Sequence, residues 1–266
     1  MIDIIIPIYN DRKNLPLSLA SIAMQTIKNQ IIVYLVDDCS TEIYDDILLS
    51  LKKDIQINYI KLNRNSGSGI AREYGLKNSK SKFVCFIDSD DLLSNPRSLE
   101  IMYRFTKEGY EFISSLEYTE KFGEVWNNDK DLHAKIYSRK FIEENNIHFN
   151  NTRLHEDCYF NSIYNICNPK SIHIDTVTYF YSYNKNSLTS VDWNAGFNSL
   201  EVFLENVKQA IDFAINHKCD KNVIKSVLYP KQEYIERVYH SISEDEKQTL
   251  RKWISKYNLS NIFNLL

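Results

Sequence analysis

Hydrophobic positions in the first ninety residues alternate between two periods. Residues 2–8 form an apolar run broken by Asp3 and Pro7, and Leu15, Leu19, Ile22 and Ala23 then recur at helical spacing. Apolar runs of four to eight residues read as buried strands, and i, i+3, i+4 spacing reads as an amphipathic helix. The pattern predicts strands over 2–8, 31–36, 55–62 and 83–87. It predicts helices over about 11–25, around Ile43, Ile47, Leu48 and Leu51, and over 70–78. Pro16 suits only the first turn of its helix, where a missing N–H costs nothing. Strands separated by single helices pair in parallel through right-handed crossovers. The expectation is therefore an α/β protein with a Rossmann-like, mostly parallel sheet flanked by helices.

Beyond residue 96 the alternation weakens. A helix is expected over 99–107, strand-like pieces over 111–116 and 122–126, and a helix from Ser138. Another helix starts near Glu156, with Phe160, Ile163, Tyr164 and Cys167 on one stripe. Strand-like stretches follow over 171–174 and 177–183. From about 195 onward the pattern is helical throughout, beginning with Phe197, Leu200, Phe203, Leu204 and Val207. The expected organisation is a main domain over 1–190, in halves 1–91 and 92–190, and a helical C-terminal extension over 191–266.

With 266 residues, 43% of them hydrophobic, the chain can bury a large core. A net charge of −3 gives no global pull toward nucleic acid or an anionic membrane. The five cysteines form no Cys-x-x-Cys pair and are odd in number, so they read as reduced thiols of a cytoplasmic protein. The apolar N-terminal run is too short to span a bilayer, Asp3 argues against a secretory signal, and no stretch of 18 apolar residues occurs.

Polar clusters sit where the predicted strands stop: Tyr9-Asn10, Asp37-Asp38, Asn65, and Asp88-Ser89-Asp90-Asp91. Open α/β sheets bind ligands beyond the carboxyl ends of their strands. Carboxylates this close raise one another's pKa unless a cation or a donor network compensates. A divalent ion carrying a diphosphate would do so, because hard cations take carboxylate and phosphate oxygens together. An Asp-rich turn capping a helix is the alternative. On an extended segment Asp88 and Asp90 would project the same way.

These clusters resemble the motifs of the family 2 glycosyltransferases with the GT-A fold. The matching pieces are Pro7-Ile8-Tyr9-Asn10, Val36-Asp37-Asp38-Cys39-Ser40, Asn65-Ser66-Gly67-Ser68-Gly69-Ile70-Ala71-Arg72, Phe86-Ile87-Asp88-Ser89-Asp90-Asp91 and His155-Glu156-Asp157. Together they cover roughly residues 1–190. The resemblance implies an inverting glycosyltransferase moving a sugar from a nucleotide-diphosphate donor, with a UDP-sugar favoured, to an acceptor hydroxyl. The acceptor would be a surface glycan, a lipid-linked saccharide or another hydroxyl compound.

By that resemblance Pro7, Tyr9, Asn10 and Asp38 serve the nucleotide, with Asp38 accepting from an imide N–H of the base. Gly67 allows close backbone approach, and Arg72 offers a fork of donors to ribose and phosphate oxygens. Asp88 faces the ribose, Asp90 binds Mn2+ or Mg2+, and Asp157 is the general base. Local alternatives stand beside each role: Asp38 as a loop cap, Tyr9 as a packed aromatic, Arg72 paired with Glu73 or Glu42, Asp91 as a metal neighbour or turn cap. Asp157 in a helix's first turn also simply complements the macrodipole. Glu156 reads as a backbone clamp, and His155 and His173 stay unassigned. The alternating aromatics Tyr179, Tyr181 and Tyr183, with residues 184–189, resemble a strand and loop closing over the diphosphate, or they are core. Trp126 and Trp193 either stack on sugar faces or are buried.

Two other functions fit parts of the pattern. A sugar nucleotidyltransferase would want a Gly-rich basic loop after the first strand, where Pro7-Ile8-Tyr9-Asn10-Asp11 has no glycine. A non-catalytic nucleotide-sugar-binding partner would not need Asp88, Asp90 and Asp157 together. The C-terminal helices can pack on the body, form a homodimer or lie on a membrane. Lys247, Arg251, Lys252 and Lys256 beside Trp253, Ile254, Leu265 and Leu266 suit an interface, while Glu244, Asp245 and Glu246 dilute the charge. The expected location is cytoplasmic, with peripheral contact at the inner membrane face as one option.

Overall fold

A computed structural model describes residues 1–128, 131–184, 198–257 and 259. Two compact units emerge: Met1–Arg153 with Pro169–Asn184, and Leu154–Asn168 with Lys185–Leu266.

The first unit is built on one mixed sheet. Its strands are β1 (Ile2–Ile8), β2 (Ile31–Asp37), β3 (Gln56–Lys61), β4 (Phe83–Phe86), β5 (Leu92–Leu93), β6 (Phe112–Thr119), β7 (Glu124–Trp126), β8 (Lys135–Ser138) and β9 (Ser171–Tyr181). They run in the order β3-β2-β1-β4-β8-β6-β9-β5, with β7 paired to β6. The first four are mutually parallel, whereas β8 joins β4 and β6 in antiparallel sense. Central β1 has every apolar residue but Pro7 buried, as expected of a parallel strand covered on both faces.

The helices follow the predicted alternation, with bounds that shift by a few residues. They are α1 (Leu15–Ala23), α2 (Asp45–Leu51), α3 (Ser68–Asn78), α4 (Ser98–Tyr103) and α5 (Arg139–Glu144). Helix α1 starts at Leu15 with Pro16 in its first turn. Asp45 and Asp46 complement the positive end of α2, and the Ser138 hydroxyl accepts from the Phe141 N–H to cap α5. Buried Asp3 accepts from Lys80 N (2.7 Å) and Ser81 N (2.6 Å), fastening the turn that enters β4.

Helix α3 lies tight against β1 and β2. A Cβ added at Gly75 would stand 2.5 Å from Ile5 Cγ2 and 3.2 Å from Val36 Cγ2. Because both neighbours are core side chains, Gly75→Ala is expected to destabilise the fold by about 1–3 kcal/mol through overpacking. Chemical denaturation checks this, and an unchanged midpoint would mean that α3 is free to move outward.

The second half of the sheet departs from the predicted elements. The two pieces expected over 171–174 and 177–183 are one strand, β9, which runs parallel to β6 with register shifts near Ser115 and Leu116. The gap between the two expected pieces, residues 175 and 176, falls at the register shift, where exposed Asp175, a poor strand former, needs no partner on β6. The short β8 and two-residue β5 gave no periodicity long enough to read.

The second unit contains α6 (Glu156–Ile166), α7 (Asn198–Asn216), α8 (Lys221–Ser241) and α9 (Glu244–Lys256). Its core collects Leu200, Phe203, Leu204 and Val207 of α7, Leu228 and Ile235 of α8, and Leu250 and Ile254 of α9. Asp220 caps α8, and Ser243 with Glu246 forms a capping box on α9, which explains the acidic cluster there. Among the described residues no helix is long and apolar enough to cross a membrane. Trp193, Leu265, Leu266 and the loop over 185–189 lie outside the described residues.

Candidate active site

The carboxyl ends of β1, β2 and β4 converge where β1 is flanked by β2 on one side and β4 on the other. Asp38 extends the β1–β2 pairing, its N–H donating to Ile8 O at 2.8 Å. Its buried carboxylate accepts from Ser66 N (2.8 Å) and Gly67 N (2.7 Å). Asp38 thus fastens the Ser/Gly loop ahead of α3. Gly67 has φ +96°, a conformation that strains any residue with a Cβ.

Residues after β1 form a second clamp. Asn10, at φ +49°, accepts from Thr41 N at 2.9 Å, and its own N–H donates to Ser40 Oγ at 2.9 Å. Pro7 is partly buried and Tyr9 is half exposed. Asp11 accepts from Ser89 Oγ at 2.7 Å, which joins the ends of β1 and β4. The pieces read separately along the sequence are therefore hydrogen-bonded into one rim.

The acids after β4 do not stay extended. The strand stops at Phe86, and residues 88–91 turn, closed by the Asp91 N–H donating to Asp88 O at 3.1 Å. Asp88 and Asp90 consequently meet different partners instead of projecting together. Asp88 accepts from the Arg72 guanidinium at 2.7 Å and lies 3.2 Å from His133 Nε2. Arg72, almost fully buried, is thus committed to Asp88 rather than to Glu42 or Glu73. Glu73 instead accepts from the Phe149 N–H and pairs with Lys77. Asp91 accepts from Tyr179 OH (2.7 Å) and Ser182 N (2.8 Å), and the residues expected to follow it as a turn are β5. Asp90 accepts from Asn184 Nδ2 at 2.9 Å.

Proton affinities follow from these partners. Burial alone would raise the Asp88 carboxyl, but the Arg72 charge and the His133 contact hold it well below the usual carboxylate range. Asp90 is raised by burial and then by the Asp88 charge, with Asn184 offsetting part of the effect. Asp91 is raised well above its ordinary value, chiefly by burial. Burial would lower His133, yet its contacts with Asp88 and Glu117 push it well above the usual imidazole range.

His133 is the residue that sequence reading missed. Its ring stacks on Tyr179 (4.9 Å, 6°), and its Nδ1 lies 3.7 Å from Glu117 Oε2. It sits in the irregular stretch before β8, with no spacing or motif around it to mark it. Asp88, Asp91 and His133 are the one group of three potential metal ligands found among the described residues, with donor atoms within 4.8 Å. Arg72, Tyr179 and Ser182 already occupy the two carboxylates. Among the described residues no cation pairs with Asp90, a hard oxygen donor, so it fits a divalent ion best of the three acids.

His173 lies on β9 against Ser114 (3.1 Å) and Asp175 (3.6 Å), apart from the acids' partners. In the second unit, His155 sits at the start of α6 with φ +61°, its ring edge-on to Phe203 at 5.3 Å. Glu156 is buried and Asp157 half buried, with the Asp157 carboxylate accepting from Cys158 N at 2.7 Å.

Comparisons with known proteins agree with this architecture. An uncharacterized glycosyltransferase of Rickettsia conorii is 33% identical over 137 residues, which is 52% of this chain and 22% of that protein. The poly(ribitol-phosphate) beta-N-acetylglucosaminyltransferase TarP of Staphylococcus aureus is 33% identical over 109 residues, covering 40% of this chain and 33% of TarP. The chain thus spans a third or less of these relatives' own lengths. The crystal structure of S. aureus TarS residues 1–349 in complex with UDP-GlcNAc superposes with a TM-score of 0.80 at 20% identity. It covers 96% of this chain and 80% of that one, so the two share the GT-A fold. The family model described as glycosyl transferase family 2 matches residues 3–166, well over half of the sequence and every motif of the rim, and the chain belongs to that family.

Proposed function

We propose that this protein is an inverting glycosyltransferase that moves a sugar from a nucleotide-diphosphate sugar, a UDP-sugar in preference, to a hydroxyl of a surface glycan or lipid-linked saccharide. The observation that carries the reading is the turn at residues 88–91. It sets Asp88 on Arg72 and leaves Asp90 as a carboxylate of raised proton affinity at the ligand-binding end of the sheet. The donor preference is supported by the neighbour solved with UDP-GlcNAc.

In this reading Pro7, Tyr9, Asn10 and Asp38 shape the base pocket, the loop at Gly67, held by Asp38, lets the backbone come close to the diphosphate, and Arg72 fixes Asp88 toward the ribose. Asp90 would hold Mn2+ or Mg2+, which would relieve charge on the departing diphosphate as a Lewis acid. Asp157 would take the proton from the acceptor hydroxyl as its oxygen attacks the anomeric carbon. The bond from that carbon to the diphosphate oxygen breaks, the nucleoside diphosphate leaves, and the sugar's configuration inverts. The C-terminal helices bury their apolar stripes on one another, which favours packing or a homodimer over membrane insertion. A cytoplasmic location belongs to the same proposal.

A donor panel tests the reading through UDP or GDP release with Mn2+, with Mg2+ and with chelator. The expected result is release for at least one sugar nucleotide that stops with chelator and resumes when metal returns. Absence of both turnover and nucleotide binding across the panel would overturn it.

A further inference from the structure

Away from the acids, the hairpin joining β6 to β7 carries two large aromatic side chains in solvent. Trp126 is 39% exposed and Phe122 is 49% exposed. Their rings stack at 5.1 Å and 18°. The Trp126 indole N–H donates to Glu124 Oε2 at 3.0 Å, so the exposed ring is held in a set orientation. Lys121 Nζ stands 5.3 Å from the centre of the Phe122 ring. Soluble proteins rarely leave a contiguous aromatic surface uncovered without a use for it.

Strand register shows which side of the sheet this surface faces. Glu117 of β6 is opposite Trp126 of β7 and opposite Tyr179 of β9. Directly paired residues project to the same face. Trp126 therefore shares the face of Tyr179, whose hydroxyl donates to Asp91 and whose ring supports His133. Two strand spacings, about 10 Å, separate Trp126 from Tyr179. The hairpin is also tied to the acid turn through the chain beyond β9. The Tyr183 N–H donates to Glu120 at 2.7 Å, and the next residue, Asn184, holds Asp90.

We infer that Trp126, backed by Phe122, is an acceptor subsite that stacks on a pyranose ring of the glycan being extended. This rests on the glycosyltransferase reading above. An aromatic face with a carboxylate at its edge matches a sugar, which offers an apolar C–H face and peripheral hydroxyls. It suits a protein partner less, because the centres of protein interfaces are depleted in charged residues. The occupant is ring-bearing: an open-chain polyol phosphate has no such face to present.

The test uses cellohexaose, maltohexaose and chitohexaose as ring-bearing probes and a ribitol-phosphate oligomer as the ring-free one. Binding to the full chain is measured by calorimetry and by saturation-transfer NMR, with UDP binding measured on the same samples. At least one hexasaccharide is expected to bind the parent with saturation transfer to its ring C–H protons. Trp126→Ala should weaken it about thirtyfold, the scale of an aromatic anchor at about 2 kcal/mol. Trp126→Phe should retain most of the affinity, and UDP binding should be unchanged in both variants. Equal saccharide affinity in parent and Trp126→Ala, tighter binding of the ring-free oligomer, or no hexasaccharide bound by the parent would each overturn the assignment. Failure of the parent to bind UDP would instead strike the glycosyltransferase reading, leaving the saccharide result to stand separately.

Discussion

Asp157→Asn is expected to lower kcat by about 10²–10⁴-fold while nucleotide affinity stays within a factor of a few, the signature of a lost general base. Asparagine keeps the shape of the side chain and an oxygen for the Cys158 N–H, so the start of α6 should survive. The competing account makes Asp157 one of two acids, with Glu156, complementing the helix dipole. That account predicts a stability loss of about 0.3–1 kcal/mol and ordinary turnover. Steady-state kinetics with saturating donor, beside a thermal melt, separates the two. A variant that melts slightly lower and turns over at the parental rate would remove Asp157 from the chemistry.

The second large effect is expected at Asp90. Asp90→Asn should abolish tight Mn2+ binding in the presence of UDP and reduce kcat by about 10²-fold or more, since a metal's charge stabilisation is worth several kcal/mol. Stability should move the other way. The Asp90 carboxyl has its pKa raised in the folded state, by burial first and by Asp88 second. A carboxyl raised on folding costs stability wherever it is ionised, and that cost disappears as pH falls through the folded pKa and then the unfolded one. At neutral pH without metal, the neutral asparagine should therefore leave the melting temperature equal or higher. Electron paramagnetic resonance of Mn2+ and calorimetric melts provide the readouts. Parental Mn2+ affinity in the variant would move the metal to other ligands. A marked fall in melting temperature would mean that the Asn184 contact, not charge, governs this position.

Asp88 and Asp90 also show where linear reading reaches its limit. Their types and place at a strand end were legible, because an apolar run ending in acids is a local feature. Their directions were not, because the turn closed by Asp91 N and Asp88 O decides them. Arg72 shows the same divide: one turn into a helix after a glycine loop it was a clear candidate, but its commitment to Asp88 depends on a partner sixteen residues away. Asp38 was recognised as a rim residue, whereas its grip on Ser66 and Gly67 came from the loop folding back over it.

The sequence by itself determined the alternating strands and helices of the first ninety residues, the rim on which the polar clusters fall and the helical character of residues 198–256. Each depends on hydrophobic period and on polar residues at the ends of runs, which are short-range properties of the chain. Tertiary structure alone decided that His133 enters the acid cluster, that β9 is one strand and that Trp126 shares a face with Tyr179. Those facts come from register and pairing between segments tens of residues apart, for which no local spacing exists.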